Sequence, residues 1–213
     1  MKIPKREEHR TAANRRSGFT LIEMIGVLAV IAILASMLIP RVFEAINSAR
    51  VNATAVGCET IKTAVADHYG KYGQFDLLNG TGTPIQPGAT IVTNYDINIL
   101  MPENLLDKPF SAKIAGADVN PNSLVQLVRA AAANFGGPGG SGYSLDGITN
   151  STANATFVVE AVMFHVSQAD AKDLNDRIDG TALGAPIGTA DTKGRVEYTA
   201  ANPTDVYVYL THR

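Results

Sequence analysis

Residues 19–39, FTLIEMIGVLAVIAILASMLI, form a run of 21 positions in which Glu23 is the only charge. As a helix this run spans about 32 Å, close to the hydrocarbon thickness of a bilayer. It reads as a membrane-spanning segment. The preceding residues 1–18 hold Lys2, Lys5, Arg6, Arg10, Arg15 and Arg16 against Glu7 and Glu8. That local charge of +4 leaves -6 on the rest of a chain whose total is -2. Basic residues before the span, with little positive charge after it, place the N-terminus in the cytoplasm and the remainder outside.

A cleaved secretory signal and a plain signal anchor begin in the same way, and neither accounts for Glu23. A secretory apolar region is shorter and ends at a small-x-small site, whereas this run continues to Pro40-Arg41 without one. A carboxylate inside a span is costly, by about 2.5–3.5 kcal/mol at mid-bilayer, and so is a functional candidate. A lipidated cysteine is excluded because Cys58, the only cysteine, lies far beyond the run. One cysteine also forbids an intramolecular disulfide, and Cys58 reads as a small packing residue.

The string Arg16-Ser17-Gly18-Phe19-Thr20-Leu21-Ile22-Glu23, followed by the apolar helix and Pro40, resembles the prepilin signal of type IV pilins and type II secretion pseudopilins. The resemblance covers roughly residues 10–72. It implies that a prepilin peptidase/methyltransferase cuts between Gly18 and Phe19 on the cytoplasmic side and methylates the Phe19 amine. It also implies that Glu23 guides each subunit into register with its neighbour. Partners would be copies of this chain, related pilin subunits, an inner-membrane assembly platform and membrane lipid. Physically, a carboxylate near a new helix-terminal ammonium group would neutralise it where the dielectric is low. Glu23 also lies near the positive end of its own helix, so simple dipole stabilisation explains it as well.

The helical pattern continues beyond the span, with Val42, Ile46, Ala49, Ala53, Val56, Ile61, Val65, His68 and Tyr72 at three- to five-residue steps. Pro40 removes a donor to the Ser36 carbonyl, which predicts a kink or local melting there. Gly70, Gly73 and Gly80 end the helix and open a Gly/Pro/Thr-rich stretch to about Gly88. An amphipathic helix is expected over LVQLVRAAAANF, from Asn122 or Ser123 as N-cap to Gly136. Thr156 to Val166 reads as a central strand, and Ser167 opens a short helix closed by Gly180. Arg195 to Thr199 and Val206 to Leu210 read as an antiparallel pair after a turn at Asp191 to Gly194.

The expected organisation is a basic leader (1–18), a transmembrane or filament-core helix (19–39), its extracytoplasmic continuation (40–72) and an α+β head (73–213). The fold class is α+β, a pilin-like lollipop with a long helix packed on an antiparallel sheet.

Catalytic signatures are missing. His68, His165 and His212 are scattered, without a His-Glu-x-x-His motif, and His68 and His165 read as packing residues. No Gly-x-Ser-x-Gly elbow is present. Gly137-x-Gly139-x-x-Gly142 matches a dinucleotide fingerprint only formally, because it follows an expected helix instead of opening one. An acidic body argues against nucleic acid. Asp170, Asp173, Asp176 and Asp179 form a solvated stripe, although Asp179 or Asp191 could contribute to a calcium loop of the kind some pseudopilins carry. The expectation is therefore a non-enzymatic filament subunit of a type II secretion-like system, without cofactor. The rivals are a type IV pilus pilin, including a DNA-uptake subunit, and an anchored binding or enzymatic domain.

Overall fold

The computed structural model describes residues 18–76, 91–129, 136–153 and 155–213. The basic leader before Gly18, and most of the Gly/Pro/Thr-rich stretch, fall outside these residues. Two compact units divide the chain, Met1–Glu44 and Ala45–Arg213.

One helix, α1, covers Leu21–Tyr72 and stays helical through Pro40. Local melting at the proline is not observed. In the first unit no residue of its apolar stretch is buried; Leu21, Ile22, Leu34 and Met37 are all more than 60% exposed. Leucine and alanine favour a helix here, and among the described residues nothing covers these apolar side chains.

The second unit is a single core built on the remainder of α1. Its buried face carries Val51, Thr54, Cys58, Ile61, Val65 and His68, a repeat of three and four residues. Ala49, Ala53 and Val56, expected on that face, instead point to solvent. Thr54 and His68 tolerate burial because each is bonded: Thr54 Oγ1 donates to the Arg50 carbonyl and accepts from the Lys113 amide, and His68 Nδ1 lies 2.8 Å from Glu103. The Cys58 thiol is fully buried as expected, and burial pushes its pKa up to about 12.

Five antiparallel strands form one sheet: β1 (Ile91–Val92), β2 (Ser123–Arg129), β3 (Phe157–Val166), β4 (Val196–Tyr198) and β5 (Thr204–His212), in the spatial order β1-β2-β3-β5-β4. Together with α1 they make the pilin-like α+β arrangement. A π-helical turn at Asp96–Leu100 follows β1 and adds Ile99 and Leu100 to the core. Helix α2 (Gln168–Ile178) opens on Ser167, whose side chain accepts from the Asp170 amide, and buries Ala171 and Leu174.

The expected helix at Leu124 is corrected: residues 123–129 are β2, paired residue for residue with β3 from Ser123↔Met163 to Arg129↔Phe157. Residues 130–135 of that expectation lie outside the described residues. The acidic stripe is corrected too. Asp170 is 9% exposed and accepts from Asn47 Nδ2 at 2.6 Å, and Asp179 accepts from the Arg195 and Val196 amides at 2.7 and 2.8 Å. His165 is not a packing residue. It sits at φ 53° where the β3–β5 register slips, exposed, with Nδ1 2.8 Å from Asp118.

Candidate processing and assembly site

Gly18, Phe19 and Thr20 precede α1 in non-helical conformation, and all three are exposed. A side chain at Gly18 would meet nothing within 4 Å, and Phe19 is 82% exposed. Among the described residues nothing covers the peptide joining them.

Two residues further on, the chain closes a reciprocal cap. Thr20 Oγ1 accepts from the Glu23 amide at 3.3 Å, while Glu23 Oε2 accepts from both the Thr20 amide and the Thr20 hydroxyl at 2.8 Å. This is the Thr-x-x-Glu capping box, which satisfies amides that a helix start leaves without intrahelical partners. The dipole contribution foreseen for Glu23 is thereby given a partner, Thr20, that the sequence reading missed. Its signal was legible in Thr20-Leu21-Ile22-Glu23 itself.

The geometry has a chemical consequence. Breaking the Gly18–Phe19 bond frees the Phe19 amine, but the Thr20 amide belongs to the next peptide bond and survives. The cap therefore persists in a processed chain and holds the Glu23 carboxylate within one turn of the new terminus. The apolar helix that follows includes a notch of about 370 Å³ lined by Ala35, Leu38, Ile39, Val42 and Phe43, on the two sides of Pro40.

In the second unit, the carboxylates considered for calcium are engaged by the protein. Asp191 Oδ2 accepts from the Ala185 amide at 2.8 Å and from Asn175 Nδ2, and Oδ1 accepts from the Lys193 amide at 3.1 Å. With Asp179 bound to two amides, these groups tie the 180–195 loop onto α2 and β4. Among the described residues no set of three His, Cys, Asp or Glu side chains converges as metal ligands. The glycine run contains only a three-residue 3-10 turn, Pro138–Gly140, and the Gly137 amide donates to the Glu160 carboxylate at 2.8 Å. A phosphate would meet an acid there, so the dinucleotide fingerprint fails on charge as well as on geometry.

Residues 13–39 match the family model described as the prokaryotic N-terminal methylation motif. This is the signal of the type IV pilin and pseudopilin family, whose members are generally non-enzymatic structural subunits. Over residues 13–39 the chain thus carries a type IV pilin-like prepilin signal, and that motif implies processing by prepilin peptidase and assembly with pilin subunits. Its apolar helix is consistent with single-pass anchoring in a membrane before assembly. No solved structure matches the chain.

Proposed function

We propose that this chain is a filament subunit cut between Gly18 and Phe19, methylated on the Phe19 amine, and polymerised through residues 19–39. The observation that carries the reading is an apolar helix with no internal cover whose start holds a single capped carboxylate beside an open Gly-Phe peptide. Before assembly, lipid covers that surface; in the filament, copies of the same helix replace lipid. The Glu23 carboxylate then receives the methylated ammonium group of a neighbouring chain, a pairing strengthened in an apolar interior. At Pro40 the Ser36 carbonyl has no backbone donor four residues on, and the proline is the place where the helix yields when the filament bends.

Two features favour a secretion pseudopilin over a pilus pilin. Cys58 is alone and buried on α1, so the disulfide that closes the C-terminal region of many pilins is not available. The chain beyond the leader is acidic, which disfavours a DNA-uptake role. The filament would lie on the extracytoplasmic side of the inner membrane, with the head outward.

Intact mass and N-terminal sequencing of protein from its own membranes, beside a Glu23→Val variant carried through filament isolation, provide the test. A mature chain beginning at N-methylated Phe19, with the variant processed but missing from filaments, is expected. An uncut chain, or a cut beyond Ile39, would overturn the proposal. Deleting the gene product should then abolish export of secreted proteins while surface pili remain; the reverse pattern would reassign the subunit to a pilus.

A further inference from the structure

On the sheet face turned away from α1, two glutamates are buried side by side beneath the 136–153 loop. Glu160 on β3 is 1% exposed and Glu197 on β4 is fully buried. Both register with the outward tyrosines of β5, Glu160 with Tyr209 and Glu197 with Tyr207. Their surroundings differ sharply. Glu160 accepts from Tyr143 Oη at 2.6 Å, the Gly137 amide at 2.8 Å and Gln126 Nε2 at 2.5 Å, a set of donors suited to a carboxylate. Glu197 is poorer in partners: neither oxygen has a donor in good hydrogen-bond geometry among the described residues, and the Ser144 amide is the group that favours its ionised form.

The loop touches both acids through one residue. Gly137 donates its amide to Glu160, and a Cβ at the same residue would lie 2.6 Å from Glu197 Oε2. The rest of the loop's hold on the sheet is modest. Tyr143 packs with Val128, Ala155 and Val158 in a small cluster and meets the Tyr209 ring at 5.4 Å, and the Ser144 carbonyl accepts from the Gly194 amide at 2.8 Å. A loop with so few apolar anchors is sensitive to any charge that appears beneath it.

We infer that the Glu160–Glu197 pair is a proton-gated clasp, holding the 136–153 loop against the sheet while Glu197 carries a proton and loosening it when that proton leaves to solvent. Each charged neighbour that acts on Glu197 is acidic: Glu160 from β3, Asp191 from the turn before β4, and Asp179 from the end of α2. The phenols facing it, Tyr143 from the loop and Tyr207 and Tyr209 from β5, are themselves pushed above their ordinary range by burial and remain neutral. The Arg195 guanidinium beside it in sequence is committed elsewhere, bonded to Glu59 at 2.8 Å. Among the described residues an ionised Glu197 therefore has no counter-charge, and only the Ser144 amide favours it unless the loop opens and admits water.

Burial, followed by repulsion from these acids, pushes the Glu197 pKa up to about 8 from an ordinary 4.5. A carboxyl whose pKa is raised by closure favours the closed form at low pH. The advantage is complete below the open-state pKa and is lost as pH climbs towards 8. For one proton, the opening equilibrium should rise about tenfold per pH unit through the middle of the interval between 4.5 and 8 and level off above it.

Hydrogen exchange of amides 142–152 in the detergent-solubilised full chain, expressed as protection relative to intrinsic rates at pH 5.5, 6.5, 7.5 and 8.5, tests the clasp. In the wild type, protection of these amides should fall by about tenfold per unit between pH 5.5 and 7.5 and level off above 8, while β3 amides hold steady. Glu197→Gln, neutral at every pH, should remove that slope. Glu160→Gln should retain the slope with its upper limit moved to lower pH, because an acid whose repulsion raises Glu197 is lost. A wild-type slope equal to that of Glu197→Gln would overturn the inference, as would loss of β3 protection in step with the loop. Should Glu197→Gln not fold, an unshifted limit in Glu160→Gln would overturn it equally.

Discussion

At the scale of single residues, side chains here act mainly by supplying or accepting the one hydrogen bond that a backbone end lacks. Thr20 is the simplest case: replacing it with valine keeps the shape and removes the oxygen that caps Glu23 and the hydroxyl that holds its carboxylate. We expect Thr20→Val to weaken the helix start by about 1 kcal/mol, seen as faster amide exchange over residues 21–24 in micelles. Assembly should fall with it, because a carboxylate left with the backbone amide alone is less firmly placed for a neighbour. Asp179 does the same work at β4, where burial raises its pKa but two amides hold it in place. Asp179→Ala should lower stability by about 1–3 kcal/mol, read as a reduced melting temperature. The Thr20 role was legible in the Thr-x-x-Glu spacing, but that of Asp179 was not: it belonged to a three-residue repeat that resembles a wet helix face, and only the return of the chain at Arg195 shows which carboxylates turn inward. Glu23, by contrast, was legible because a lone charge in an apolar run has few explanations.

At the scale of elements, legibility followed how many faces an element buries. Strand β3 was readable because ten β-rich residues, buried on both faces, leave little room for a helix. Strand β2 was not, since Leu124, Leu127 and Val128 satisfy helical spacing as well as Val125 and Leu127 satisfy strand spacing, and the following alanines favour a helix. The pairing with β3 decides the matter, a partner 34 residues away that local propensity cannot see. The two readings give different mutational patterns. In the strand, Val125 and Leu127 are fully buried on the α1 side, whereas Leu124 is only half-buried on the other face. Leu127→Ala should cost about 2–5 kcal/mol and Leu124→Ala less than half as much, measured by thermal unfolding of the full chain in detergent. Near-equal losses would favour the helical face that the sequence suggested. For α1 the helix itself was plain and Ile61, Val65 and His68 of its expected pattern are buried, but Ala49, Ala53 and Val56 are apolar and exposed while Thr54 is polar and buried.

At the scale of the whole molecule, the sequence divides by solvent. Up to Glu44 the side chains need lipid or other copies, and from Ala45 onward the chain closes its own core. The first fully buried residue is Val51, six positions past that boundary, so fraying of the cut helix would not reach the core. A fragment of residues 45–213 should therefore be soluble and monomeric and melt in one cooperative transition, followed by far-ultraviolet circular dichroism. Its stability should also fall as pH rises from about 5.5 to 8.5, because the folded state holds a proton on Glu197 that the unfolded chain releases above 4.5. Carboxylates held at depressed pKa work in the opposite sense. Asp146, kept near a pKa of about 2 by the Ile148 and Thr149 amides, contributes stability that is already complete well below pH 5.5. The two classes of acid therefore act in opposite senses, and because burial also raises Glu160 and Asp179, the Glu197→Gln variant is what assigns a decline between about pH 4.5 and 8 to Glu197. Glu197→Gln in the fragment should flatten that decline, and at pH 8.5 should melt at a higher temperature than the wild type. A substitution that stabilises only above neutral pH would show that the head keeps Glu197 for its proton, since an amide of the same size packs equally well.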